Sequence, residues 1–473
     1  MKIWRYITGF ALTISITSVQ PARACPSDLD LSFGSDGVAA RLAPNRKAYF
    51  GTPFVQTNGA ILVPGSIDGH PMVMRYHANG TLDQLFGQDG VATVIVPDSY
   101  RGSVSHIDVQ SAGHIVASGV VSIFDGEIAT STPLLVRFDS TGELDPTFGD
   151  GGIVLLPTAT GADAWMTGVV VRSDGIIVAP GRLRYTPDDG LPRSSVYFFR
   201  ADGNLNPGFG VGGVVALAGP PPTAVTGIVL LDDDAVVVSG VVDDVGDTLI
   251  AKLSADGTPD PAFGDAGVRI TRTKRYEEAW NIGVDGLGRI LVGGDAGSTP
   301  LPDRNSIFVR RYLANGKLDR SYGRRGKASI AFASPIAAFG FAVTEDGRTL
   351  VAAYHVNWNA TGRRGGVVAR FGGDGSPDQT FGRHGVLRLS TAPVTRLHTI
   401  SLQADGKPLV AGESYLTPQS GFSPLLLRLE GGTWDGTEQC VAGCGNGIVK
   451  APEQCDDGNA SNDDGCSAAC AVE

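Results

Sequence analysis

A cation and an aspartate eight residues apart recur along this chain at a fixed place in a repeated phrase. The pairs are Arg75 and Asp83, Arg137 and Asp145, Lys252 and Asp260, Arg311 and Asp319, and Arg370 and Asp378. A cation beside a carboxylate can tune a general acid or base, or it can form a charge-assisted hydrogen bond that ties two segments together. Catalysis needs one asymmetric constellation, whereas this pair returns in unit after unit. The third unit has Phe198 in the basic position and Asn206 in the acidic one, so both partners are lost together. Joint loss implies that the side chains touch and tie a strand end to the loop between units. Two orphans remain, Asp30 with no preceding cation and Arg428 with no following acid. If the chain closes into a ring, these two meet.

Beyond the pairs the chain offers no recognisable catalytic machinery, and no catalytic residue is assigned. It has no G-x-S-x-G, H-E-x-x-H, P-loop or dinucleotide fingerprint. The seven histidines are scattered, and Asp232-Asp233-Asp234 falls where other units have an Asp-Gly turn, so it reads as a hairpin turn and not a metal site. The side chains best suited to recognition lie in the unit-specific stretches that follow the third apolar run. They are Tyr185, Trp358, Arg363, Arg364 and Tyr415, aromatics for flat apolar faces and arginines for carboxylates.

The cysteines are confined to the two ends. Cys25 stands alone near the start, while Cys440, Cys444, Cys455, Cys466 and Cys470 crowd the last residues. Six cysteines in an exported chain read as a disulfide framework. A Cys25–Cys440 bridge would staple a ring at its seam, leaving four cysteines with three possible connectivities. Their spacing lacks paired C-x₂-C arms, which argues against zinc. Asp456, Asp457, Asn459, Asp463 and Asp464 carry oxygens at a spacing that suits Ca²⁺; the rival reading is that they build tight turns in a coreless module. No cofactor is required by anything in the sequence.

The elements that must position these residues are strands. The phrase Leu-Asp-x-x-Phe-Gly occurs at Leu29–Gly34, Leu82–Gly87 and Leu144–Gly149, with close variants elsewhere, and its aromatic residue (33, 86, 148, 209, 263, 322, 381) returns every 53 to 62 residues. Each unit holds four runs of Val, Ile and Leu bounded by Gly, Asp and Asn, the signature of strands. Asp-Gly between two of them, as at Asp174-Gly175 and Asp405-Gly406, marks a tight hairpin. Four strands in each of seven units predict an all-β, seven-bladed propeller of four-stranded blades, with a small disulfide-rich module after it. The divisions are residues 1–24, 25–435 and 436–473.

Residues 1–24 combine Lys2 and Arg5, an apolar stretch and Ala22-Arg23-Ala24, as a cleavable secretory signal does. Export is therefore expected, to the medium or the cell surface. Lipid attachment through Cys25 is the minor alternative, because Ala22 stands where a lipoprotein signal usually has Leu. Removing the signal takes the net charge from −11 to −14, which argues against nucleic acid as a partner. No segment is expected to span a membrane.

The phrases D-G-x-[ILV]-[LV]-[VA]-x-G, [VL]-x-R-[YF]-x-x-x-G and L-D-x-x-F-G-x-x-G resemble the bacterial delta-60 repeat family over about residues 28–430. That resemblance implies a repeat and no particular activity. The tail from Cys444 to Cys470 resembles the Myxococcus cysteine-rich repeat, which implies a secreted or surface protein with disulfides. Together these readings describe a monomeric exported propeller acting as a binding or scaffold module for an extracellular protein or glycan. The alternative is a propeller enzyme, a glycan- or lactone-active hydrolase or lyase, with Ca²⁺ as an optional cofactor.

Overall fold

Short β-branched runs broken by Gly, Asp and Asn every few residues favour strands joined by tight turns, and no helix occurs among the described residues. The structure, a computed structural model, describes residues 28–431 except 40–47, 98, 126–127, 159–162, 186–193, 218–222, 243–245, 274, 298–303, 357–364, 390–393 and 416–422. The cysteines and the acidic tail residues named above lie outside that set.

Within each repeat the strands pair antiparallel in chain order, and blades 2 and 3 are joined into one sheet by a parallel bridge from Asp163 to Ser131. Blade 1 comprises Ala48–Phe50 with Phe54–Val55, Ile61–Ile67, His70–Tyr76 and Val91–Thr93. Blade 2 comprises Tyr100–Val109, Ile115–Asp125, Ile128–Phe138 and Ile153–Leu155. Blade 3 comprises Asp163–Met166 with Val170–Val171, Ile177–Tyr185, Ser194–Phe199 and Val214–Ala216. Blade 4 comprises Thr223–Leu230, Val236–Val242, Asp247–Leu253 and Val268–Thr271, and blade 5 Tyr276–Val284, Ile290–Gly297, Arg304–Tyr312 and Lys327–Ala331. Blade 6 comprises Ile336–Val343, Thr349–His355, Gly366–Phe371 and Val386–Leu389. Blade 7 has three strands of its own, Val394–Leu402, Pro408–Tyr415 and Ser423–Arg428. Its outer edge is completed from the other end of the chain: Val38 bridges Leu427, and the Ala39 amide donates to the Leu426 carbonyl at 2.9 Å.

Alternation along the strands sends successive side chains to opposite faces of each blade. In blade 1, Leu62 and Val73 pack toward blade 2, whereas Ile61, Val63 and Met72 pack against Leu409, Ala411 and Leu426 of blade 7. Among the described residues seven apolar clusters fill seven interblade spaces, so the ring is closed by hydrophobic packing as well as by the bridges of the N-terminal segment. The protein is a seven-bladed β-propeller.

The repeated phrase has a physical basis at the blade joints. It lies between the third and fourth strands of one blade, not between blades as the repeat boundaries suggested. From there it reaches the neighbour. Arg75 donates to Asp83 at 2.7 Å, lies 4.4 Å over the Phe86 ring, and donates to the Ser140 carbonyl of blade 2 at 2.6 Å. The Gly87 amide donates to the Thr141 carbonyl in the same turn at 2.7 Å. A Cβ on Gly142 in that turn would sit 2.9 Å from the Phe86 ring, so the turn needs glycine to close on its neighbour. The ion pair recurs at Arg137 with Asp145, Arg311 with Asp319 and Arg370 with Asp378, each at 2.8 Å, and at Lys252 with Asp260 at 3.0 Å; the three arginines also cover Phe148, Tyr322 and Phe381.

At the seam Arg428 donates to Asp30 at 2.7 Å, covers Phe33 at 4.5 Å and donates to the Ala78 carbonyl of blade 1 at 2.6 Å. Lys407 adds a second cation at 2.6 Å. Blade 3 departs from the pattern. Phe198 stacks on Phe209 at 4.3 Å, and Arg172, from the hairpin after the first strand, approaches the same ring at 5.5 Å. Arg172 pairs with Asp174 at 2.9 Å and donates to the Ala255 carbonyl of blade 4. A guanidinium thus occupies this joint too, delivered from a different strand end. Asp232-Asp233-Asp234 forms the equivalent hairpin of blade 4, and the Ser173 amide donates to Asp234 at 2.9 Å.

Burial pushes the Asp30 carboxyl up, but hydrogen bonds from Lys407 and Ser32 and the Arg428 charge outweigh it and hold it at about 2, against an ordinary 3.8. Because the folded value lies below the unfolded one, this stabilisation is complete above about pH 4 and is lost as pH falls toward 2. Acid titration of the fold, followed by circular dichroism, is expected to lose stability in that window. In urea, Arg428→Met is expected to cost about 3 kcal/mol, as for removal of one partner from a buried pair. Arg172→Met is expected to destabilise comparably although it stands outside the repeated position; a negligible loss would show that Phe198–Phe209 stacking alone suffices.

Candidate functional site

The first strand of every blade is the innermost, and all seven border one axial cavity of about 300 Å³. These strands share a defect. Register with the second strand skips Ser105, Thr226, Trp280, Phe339 and His398 in blades 2, 4, 5, 6 and 7, and the strands of blades 1 and 3 are interrupted at the matching place. A bulge leaves one residue without a ladder partner and re-aims its side chain. Here the skipped residues line the cavity. The freed backbone groups are met by the neighbouring blade: Thr52 N donates to Ser105 O at 2.9 Å, Thr226 Oγ1 to Ala279 O at 2.6 Å, and Thr399 Oγ1 to Gly51 O at 3.0 Å. The Asn281 side-chain amide likewise donates to Phe339 O. Gly51 is required by this closeness, since a Cβ there would lie 2.4 Å from Ser105 O.

The chamber wall is an arc of rings contributed by different blades. Trp280 and Phe339 lie 5.1 Å apart between centroids, Phe339 and His398 6.4 Å, and Tyr49 and His398 6.1 Å. Tyr354 on the second strand of blade 6 backs the arc, 5.2 Å from His398. The Arg182 guanidinium approaches two indoles, 5.3 Å from Trp165 and 5.9 Å from Trp280. Trp280 is held in turn by Asp295, whose carboxylate accepts from Nε1 at 3.2 Å and from the Ala338 amide at 3.1 Å. Along the axis a narrower cavity of about 120 Å³ continues past Thr52, His106, Thr167 and Asn281.

The formal charges near the chamber are arranged in layers. Asp295 and Glu413 are buried in the wall, Glu413 accepting from Arg396 at 3.1 Å with His398 Nε2 3.4 Å away. Burial holds His106 down at about 4, so it is neutral at pH 7. Burial, with the Glu413 charge, pushes the Tyr49 hydroxyl up to about 12, and Tyr354 is raised in the same way, chiefly by burial. Such a wall offers flat apolar faces, neutral hydrogen-bonding groups and one guanidinium, the composition of a small-molecule site. Among the described residues no group of three or more His, Cys, Asp or Glu side chains is arranged to hold a metal ion.

The loop residues expected to bind ligand do not form this site. Trp358, Arg363 and Arg364 lie outside the described residues, and so do the side chains of Tyr185 and Tyr415, which end the second strands of blades 3 and 7. Arg182, three residues before Tyr185, is inside the strand Ile177–Tyr185. The chamber residues were passed over because they sit inside apolar runs, where alternation alone would turn them toward a neighbouring blade.

A family model described as a domain of unknown function (DUF5122) beta-propeller matches residues 233–263, and one described as a domain of unknown function (DUF4215) matches residues 431–471. The first lies in blade 4 and the second in the cysteine-rich tail. No curated protein matches the chain. Among solved structures it is similar to a catalytically inactive virginiamycin B lyase from Staphylococcus aureus crystallised with quinupristin, at 13% identity and TM-score 0.36, covering 70% of this chain and 86% of that one. It is also similar to a protein from Lactobacillus plantarum (12%, TM-score 0.37, 82% and 96%) and to a glucose dehydrogenase (12%, TM-score 0.39, 84% and 99%).

The division of labour between wall and joint is open to mutation. Phe339→Ala is expected to cost under about 1.5 kcal/mol, because the ring is only partly buried and faces the cavity. Gly340→Ala, whose Cβ would meet Ala352 at 2.8 Å and Thr399 at 2.9 Å, is expected to cost about 2 kcal/mol through overpacking. Chemical denaturation of both variants checks the order; a larger loss for Phe339→Ala would make the aromatic arc structural.

Proposed function

We propose that the protein is an exported binding propeller that holds a small ring-shaped ligand in its axial chamber. The observation that carries this reading is the convergence of Tyr49, Trp165, Trp280 and Phe339, from four blades, on one cavity. The blade joints repeat the same chemistry at nearly every step, whereas the inner-strand position varies, from Ser105 and Thr226 to Trp280, Phe339 and His398. Repetition serves the fold, and the variable position supplies selectivity.

The signal-like residues 1–24 and the clustered cysteines support export and disulfide formation, with Cys25–Cys440 as a staple at the seam. The repeated phrases support a delta-60 type of propeller, and the tail a surface or secreted location. An acidic mature chain supports a glycan or a protein as partner and not nucleic acid. The protein is proposed to act as a monomer, and the binding to need no cofactor. The competing reading, a glycan- or lactone-active enzyme, would rest on His398 and Glu413, which lie 3.4 Å apart beside the chamber.

The test uses the exported full-length protein with a panel of soluble sugars and lactones, reading thermal stability and product formation together. A ligand at a hundred times its dissociation constant is expected to stabilise by about 2.7 kcal/mol, to be recovered unchanged, and to bind equally well in EDTA. Trp280→Ala is expected to abolish the shift. Product formation lost in His398→Ala would establish the enzyme reading instead.

A further inference from the structure

The joint aspartates do not all meet the same number of cations. The hairpin between the first and second strands closes through the same bond in blades 1, 2 and 7: Gln56 N donates to Ala60 O at 2.8 Å, Gln110 N to His114 O at 2.9 Å and Gln403 N to Lys407 O at 3.0 Å. In two of these blades the residue that ends the hairpin sends a basic side chain to the joint. Lys407 Nζ lies 2.6 Å from Asp30 and 2.9 Å from Glu430, and His114 Nε2 lies 3.4 Å from Asp145. In blade 1 the same place is held by Ala60, whose side chain is a single methyl. A recess of about 240 Å³ opens there, and its wall includes Gln56, Asn58, Ala60, His77 and the Arg75–Asp83 pair.

Asp83 keeps the accepting geometry of Asp30. Each uses Oδ2 for the Nε of its joint arginine, at 2.7 Å, and Oδ1 for the amide two residues on, Leu85 N at 3.1 Å and Ser32 N at 3.0 Å. In blade 7 the same Oδ2 also accepts from Lys407 Nζ, and a carboxylate oxygen has lone pairs for both donors. Burial pushes the Asp83 carboxyl up, but the Leu85 amide and Arg75 outweigh it and hold it below its ordinary value, so it is ionised at neutral pH. Gln110 and Gln403 are drawn onto their joint arginines at 3.2 and 3.3 Å, a bond that Gln56 does not make among the described residues. The net charge of −11 favours cations as guests of such a recess. We propose that the recess binds a primary ammonium group, from a partner's lysine or a free alkylamine, in the place that Lys407 fills in blade 7. The ammonium meets Asp83 Oδ2 and offers its remaining hydrogens to the Gln56 carbonyl and to water. This site lies at the joint of blades 1 and 2 and does not depend on the chamber.

One test supplies the cation from the chain itself. Ala60→Lys is expected to raise the melting temperature by about 2 °C, with no gain from the same substitution in an Asp83→Asn background. An equal shift in both backgrounds, or none, overturns the proposal. The other test titrates the exported full-length protein by calorimetry with Nα-acetyl-lysine amide, with its norleucine counterpart, which lacks the ammonium, and with its trimethyl-lysine counterpart, which keeps the charge without N–H donors. The lysine amide is expected to bind about ten times more tightly than either, the worth of one charge-assisted hydrogen bond. Ala60→Lys is expected to abolish that binding by filling the recess. Cadaverine binding more tightly than a peptide with one central lysine identifies a free amine as the guest, and the reverse order a protein lysine; either result supports the site. Binding undiminished in Ala60→Lys overturns the proposal, as do equal binding of the norleucine counterpart and no binding at millimolar concentrations.

Discussion

Everything in this molecule depends on the joint between one blade and the next, because a ring of sheets has no other way to share its load. That joint is a single side chain with three simultaneous contacts. The guanidinium of Arg75 pairs with a carboxylate in its own blade, covers an aromatic ring of its own blade, and donates to a carbonyl of the next blade. Each contact alone is modest, and an exposed ion pair would contribute little. Here the carboxylate, the ring and the turn glycine of the neighbour enclose the cation, so loss of any one leaves the others poorly satisfied. The apolar clusters between blades supply the bulk of the burial, but they are greasy and forgiving. The guanidinium joint fixes which turn meets which loop.

Blade 3 shows that the constraint is on the cation's location and not on its place in the chain. Phe198 has replaced the usual arginine, and its stacking on Phe209 preserves the packing but cannot donate to the next turn. Arg172 restores the donor from the opposite edge of the hairpin, with Asp174 in place of the missing aspartate. The seam applies the same logic across the ends of the chain, where Asp30 and Arg428 are nearly four hundred residues apart in sequence and 2.7 Å apart in space. Two cations meet Asp30 there, which is consistent with a joint that must also hold a terminal strand in place.

How far the sequence disclosed this follows from which signals are local. Strands and hairpins were legible because alternation and Asp-Gly turns act over four to ten residues. The pairs were legible because Phe198 and Asn206 vary together, which exposes a contact. The chamber was not, and the reason is the bulge. In blade 5, alternation that buries Ala279 would turn Trp280 toward a neighbouring blade, yet the skipped register re-aims it at the axis. The same holds for Phe339 after Ala338 and for His398 after Leu397. A one-residue irregularity is invisible to a pattern of period two, and it reverses the face of every residue it touches. Arg182 was not singled out for a related reason: the second strand of blade 3 runs on to Tyr185, beyond the point where its apolar residues end.

The bulges therefore separate two demands that would otherwise compete. At the blade joints, the neighbour's geometry leaves almost no freedom, and the same residue types recur. At the axis, the bulge detaches one residue per blade from the ladder, and its hydrogen-bonding duties pass to adjacent blades through groups such as Thr226 Oγ1 and Thr399 Oγ1. In blade 4 the skipped residue supplies such a bond itself, through Thr226 Oγ1, and elsewhere the position is open to other side chains within the limits set by Gly51 and Gly340. That is the condition under which one position can be Ser105 in one blade, Trp280 in another and His398 in a third without cost to the ring. A repetitive scaffold with a variable axial position can specify an asymmetric site from symmetric parts: Trp280, Phe339 and His398 reach the chamber from skipped positions, and Trp165 and Arg182, ladder partners in blade 3, join them from regular ones.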